Sequence, residues 1–87
     1  MSESEKSPFE TLDFPCSFLF RIIARQSDSI VEQCTTLISG FAQIHNISPL
    51  PKKKMIRIRI EIQAESSEQI YTIYEALGKL KDVLMVI

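Results

Sequence analysis

A few side chains in this sequence are of types that do chemistry: one histidine, two cysteines, a serine set among aromatics, and a group of arginines and lysines. Catalysis needs such groups in company. His45 has no cysteine, aspartate or glutamate at a ligand spacing, so neither a metal centre nor a general base is implied. Cys16 and Cys34 fit no metal spacing, and no neighbour of Cys16 supplies the base a thiol nucleophile requires. Ser17 lies in no elbow or triad pattern. Gly40 and Gly78 are the only glycines, which excludes a glycine-rich phosphate loop. No catalytic residue, metal ligand or cofactor is therefore expected, and an enzyme ranks last among the functions considered. The basic residues remain. In MIRIRIEIQ, Met55 to Gln63, isoleucines alternate with Arg57, Arg59, Glu61 and Gln63. Those arginines could hold a phosphate, meet a partner's carboxylates, or simply keep a strand hydrated.

The elements that would carry them follow from periodicity. Phe14 to Arg25 alternates as a strand, with Phe14, Cys16, Phe18, Phe20, Ile22 and Ala24 on one face. Ser29 to Glu32 has the form of a capping box, and Ile30, Val31, Cys34, Leu37, Ile38 and Phe41 make one helical stripe behind it. Gln43 to Ile47 reads as a short edge strand. Ser48-Pro49-Leu50-Pro51 reads as a turn, because neither proline can donate to a ladder. The Met55 to Ala64 strand comes after Lys52-Lys53-Lys54. A second capping box, Ser66 to Gln69, opens a helix striped with Ile70, Ile73, Tyr74, Leu77 and Leu80, and Val83 to Ile87 closes the chain as a strand.

At 87 residues with 45% hydrophobic content, the chain holds one core and one domain, spanning residues 11–87. Residues 1–10 are polar and read as a disordered tail. No apolar run is long enough to span a membrane, and no signal-peptide pattern opens the sequence, so a cytoplasmic setting with free thiols is expected.

Two strand–helix–strand units predict an α+β, ferredoxin-like two-layer sandwich, βαββαβ, with a four-stranded antiparallel sheet in the order 4-1-3-2 and both helices on one face. The other face would be bare. It would carry Leu19, Arg21, Ile23 and Arg25 from the first strand, Arg57, Arg59, Glu61 and Gln63 from the third, and Leu84 and Val86 from the last. RNA-binding sheets of this topology stack bases on aromatics there. Here the aromatics of the first strand point inward and the third strand has none. With a net charge of −1, this argues against nucleic acid. Mixed arginine and apolar side chains suit protein contact, as a homodimer or with another partner. The interface candidates are Leu19, Arg21, Ile23, Arg57, Arg59, Leu84 and Val86.

Phe14, Pro15, Phe18 and Arg21, with Ala64-Glu65-Ser66, Glu68-Gln69, Tyr74, Leu77, Val83 and Met85-Val86-Ile87, resemble the YbeD-like family of small bacterial proteins. The resemblance runs from about Leu12 to Ile87. It implies a ferredoxin-like fold similar to the ACT regulatory domain and a function that is unsettled, a part in lipoate metabolism having been proposed. It also implies a second reading, a small-molecule sensor of the ACT type with its ligand near the turn after the first strand, here Arg25, Gln26, Ser27 and Asp28. The family's glycine at this turn is replaced by Ala24 or Arg25, and its Gly-Lys-Tyr before the third strand by Lys53-Lys54-Met55.

Overall fold

The computed structural model describes residues 13–87; the tail expected over residues 1–10 lies outside them. The elements are β1 (Cys16–Arg25), α1 (Ile30–Ser39), β2 (Gln43–Pro51), β3 (Met55–Ala64), α2 (Ser67–Gly78) and β4 (Val83–Val86). The sheet runs β2-β3-β1-β4 with every neighbouring pair antiparallel, which is the expected topology. β1 and β3 are central and pair along their whole length, from Cys16 opposite Ala64 to Arg25 opposite Met55.

The core follows the two periodicities. Ile58, Ile60, Ile62 and Ala64 of β3 are fully buried, as are Phe20 and Ala24 of β1. The helices cover them with Ile30, Cys34 and Ile38 from α1 and Ile70, Ile73 and Leu77 from α2. Each buried isoleucine contributes about 1.5–3 kcal/mol relative to exposure. Phe20 makes edge-to-face contacts with Phe18 at 5.0 Å and with Tyr74 at 5.7 Å. No helix among the described residues is long and apolar enough to cross a membrane.

Two local features depart from expectation. The first capping box does not close. Ser29 is the N-cap of α1 but makes no side-chain cap bond; its hydroxyl accepts from the Gln33 side-chain amide at 2.8 Å. The second cap does form, with Ser66 Oγ accepting from the Gln69 amide at 3.1 Å. Gln69 also accepts from the Glu65 amide through Oε1 (2.7 Å) and donates from Nε2 to the Phe41 carbonyl (2.8 Å).

The second departure is β2, which runs through both prolines to Pro51 instead of turning at Ser48. Lys52 donates to the Met55 carbonyl at 2.7 Å, so that pair is hydrogen-bonded. Pairs alternate in an antiparallel ladder, which makes Pro51 opposite Ile56 and Pro49 opposite Ile58 the non-bonded pairs. At those positions the backbone nitrogen faces away from β3, and a proline costs the ladder nothing. The strand is an edge, so the missing donors also blunt it against another strand.

Candidate functional site: the open sheet face

Alternation along β1 and β3 sends one set of side chains away from the helices. The register then decides which of them meet. Arg21 lies directly opposite Arg59, Ile23 opposite Arg57, Leu19 opposite Glu61, and Arg25 opposite Met55. β2 adds Ser48 opposite Arg59 and Leu50 opposite Arg57. All four arginines are exposed. Among the described residues no ion pair engages Arg21, Arg57 or Arg59, and two like charges stand face to face where a sheet usually places opposite ones.

On the β4 side the structure corrects one assignment. Val86 lies opposite Ile22, and Val83 opposite Ala24, so Val86 packs on the core face and not on the open one. Strict alternation fails because the register slips between Ile23 and Ala24, with Leu84 as the extra residue of a bulge. Leu84 is exposed and takes no register partner. Met85 lies opposite Ile23 instead, and Ile87 exchanges backbone hydrogen bonds with Arg21 at 2.7 and 3.3 Å. Met85 and Ile87 are each 53% exposed, a large apolar area beside charged neighbours.

Three adjoining clefts meet at Arg57. One, of about 190 Å³, lies between Arg21, Arg57 and Arg59 and is walled by Ile23 and Ile87. A second, broader and shallower, runs from Ile23 past Met55 to Lys52, Lys53 and Lys54. The third lies toward β2, between Arg59, Ser48 and Leu50. The face is therefore polarised along the strands. Its basic half holds Arg21, Arg25, Arg57, Arg59 and the lysine hairpin, and its other half holds Ser17, Glu61 and Gln63.

Periodicity identified the central rows. It missed Leu50, because the prolines read as a turn, and Met85 and Ile87, because a bulge leaves no mark in so short a strand. Met55 was legible from its parity with Arg57.

The β1–α1 turn is differently built. Gln26 donates its amide to the Lys54 carbonyl at 3.0 Å, and Arg25 donates its amide to that of Asp82 at 2.8 Å, which ties the turn to two neighbouring connections. Ser27 Oγ is buried without a hydrogen-bond partner among the described residues. Arg25, Gln26, Ser27 and Asp28 line none of the three clefts around Arg57.

The remaining reactive groups stand apart. Cys34 is buried on the inner side of α1 and Cys16 is half-buried; both are free thiols. Burial pushes the Cys34 thiol up to about 11. His45 is exposed, the extra residue of a bulge where Ile44 pairs with Ile62 and Asn46 with Glu61. The described residues contain no group of three or more histidine, cysteine or acidic side chains placed to hold a metal.

Residues 10–87 match the family described as "Protein of unknown function (DUF493)". The chain is 31% identical over 81 residues to a UPF0250 protein of Yersinia pestis, covering 90% of this chain and 93% of that one. A UPF0250 protein of Edwardsiella ictaluri is 30% identical over the same length. Among solved structures, it is similar to the ACT domain from GTP pyrophosphokinase of Chlorobium tepidum, with a TM-score of 0.71 at 24% identity over 83% of this chain and 97% of that one. It is also similar to the H. pylori protein HP0495, with a TM-score of 0.75 at 17% identity over 100% of this chain and 94% of that one.

Proposed function

The chain belongs to the DUF493 family and has the ACT-like, ferredoxin-like fold, and from this we propose that it is a small noncatalytic regulatory domain working by protein contact through its open sheet face. The observation that carries the proposal is the meeting of Arg21, Arg57 and Arg59 among Ile23, Met85 and Ile87, with no acidic side chain paired to them among the described residues. A surface meant only for water does not need large apolar groups beside its charges. An interface does, since arginine stems pack on apolar neighbours while the guanidinium groups take the partner's acceptors. Two unpaired cysteines suit action in the cytoplasm.

The lysines provide the test. Complexes captured from extract are cross-linked with an amine-reactive reagent and mapped by mass spectrometry. Cross-links should run from Lys52, Lys53 and Lys54, at the basic end of the face. Cross-links confined to Lys79 and Lys81, or no partner at all, would rule the proposal out.

A second reading is an ACT-like sensor of a small molecule. The unpartnered hydroxyl of Ser27 in the β1–α1 turn favours it. A ligand held there raises the melting temperature as its concentration passes its dissociation constant. A thermal-shift screen of amino acids and cofactor precursors that gave a concentration-dependent rise, lost in Ser27→Ala, would favour the sensor over the contact domain.

A further inference from the structure

We infer that the basic half of the open face is an acceptor for an acidic amphipathic helix of a partner protein, with Arg57 as its central anchor. This rests on the open face being the contact surface and adds the chemistry of what covers it.

Charge identifies the sign of the occupant. Arg21 and Arg59 stand opposite each other, Arg57 is two residues along, and the lysine hairpin extends the same half. Bringing in carboxylates relieves a repulsion already present in the free protein. A second copy of the chain brings the same arginines and, in the other half of its face, a single carboxylate, Glu61, so a face-to-face homodimer leaves most of that charge unmatched.

The apolar walls identify the class. Ile23 and Ile87 flank the arginine cleft and Met55 lies in the next one, so the occupant carries apolar side chains beside its acids. A single-stranded nucleic acid stacks its bases on aromatic side chains, and among the described residues the open face offers none: Phe18 and Phe20 lie on the helix side.

Backbone satisfaction and spacing identify the shape. A chain lying across the face of a sheet finds no ladder there and must satisfy its own amides and carbonyls, which a helix does. Strand addition at β2 is opposed by Pro49 and Pro51, whose nitrogens face that edge. Arg57 and Arg59 are about 6.6 Å apart along the strand. Carboxylates one turn apart on a helix are about 5–6 Å apart at their Cβ atoms, close enough for both arginines to be met together. Arg57 lines all three clefts, so it touches the occupant whichever way the helix lies.

The test uses the full chain and a labelled synthetic helix of about 18 residues, with a leucine stripe flanked by glutamates one turn apart, in a fluorescence-anisotropy titration. Binding should weaken with added salt. It should fall about tenfold in Arg57→Ala, since a charge-assisted hydrogen bond contributes that much, and stay unchanged in Lys79→Ala. A scrambled peptide with its acids spread round the helix should bind less well. Circular dichroism confirms that each variant is folded. The inference is overturned if the acidic helix fails to bind at about 1 mM, where any specific site would show. It is also overturned if a lysine-for-glutamate helix binds equally well, or if single-stranded RNA or anionic vesicles bind more tightly through Arg57. Should cross-links still map to Lys52–Lys54 while the acidic helix fails, the open face remains the interface and only this chemistry is wrong.

Discussion

Arg21 and Arg59 face each other across the two central strands, in the position where opposite charges stabilise a sheet and like charges weaken it. Changing Arg59 to glutamate turns a repulsive cross-strand pair into an attractive one. The variant should be more stable by about 0.2–1 kcal/mol in urea denaturation, while losing affinity for an acidic partner. A measured loss of stability would mean that Arg59 makes a supporting contact in the free protein. Cys34 gives a second residue-level expectation. Its thiol ionises near 11, up from 9.0, because burial disfavours the thiolate. Folding thus favours the neutral thiol. Its contribution is present in full below pH 9 and is lost as pH rises through about 11. Burial also raises the ionisation of Tyr74, with the same sign. Comparing urea midpoints at neutral and alkaline pH in the parent and in Cys34→Ala isolates the cysteine. The variant should be about 1–2 kcal/mol less stable at neutral pH, and it should lose less than the parent on going alkaline. Equal losses would show that Cys34 does not titrate as a buried group.

The two helix starts look alike in the sequence and differ in the fold, which makes them a matched pair. Ser66→Ala removes a cap bond to the Gln69 amide and should cost about 1 kcal/mol. Ser29→Ala removes only an exposed bond from the Gln33 side chain and should shift stability by under about 0.5 kcal/mol. Thermal denaturation of both variants decides it, and equal costs would contradict the observed capping. The pair also shows what periodicity can and cannot reveal. Elements that bury a stripe are legible, because burial writes every second or every third and fourth residue in apolar type; hence all six elements and the strand order were readable. A capping box is a pattern of side chains that can bond, and whether they do depends on the φ and ψ of one residue. β2 hid its second half for a related reason. A proline is forbidden in a ladder only where its nitrogen faces the neighbouring strand, and that parity is set by the register with β3. The bulge at Leu84 likewise arises from how β4 meets β1, so Val86 exchanged faces with Met85. On the open face the arginines were visible as a row. Their clustering was not, since Arg21 meets Arg59 only through the pairing of distant segments.

At the scale of the whole molecule, a net charge of −1 conceals a separation. The basic half of the open face stands against exposed Glu32, Glu68 and Glu75 on the helices. Composition alone argued against nucleic acid for the protein as a whole, and it could not report a local field. One side chain holds the opposite layer in register. Through its amide, its Nε2 and its Oε1, Gln69 joins Ser66, Phe41 and Glu65. It thereby links the connection after α1 to the connection before α2, which belong to the two strand–helix–strand halves of the chain. Every strand pairing of the sheet crosses between the halves, β1 with β3 and β4 and β2 with β3, so neither half can part from the other as a whole. What the joint adds is local: it fastens the start of α2 to the connection after α1 above the sheet. Gln69→Ala should therefore do more than lower stability by about 1–2 kcal/mol. In native-state hydrogen exchange, the amides of the first turn of α2 should begin to exchange through a partial opening that leaves β1 and β3 protected. If their exchange stays pinned to global unfolding, the first turn of α2 is held by the core and not by this joint.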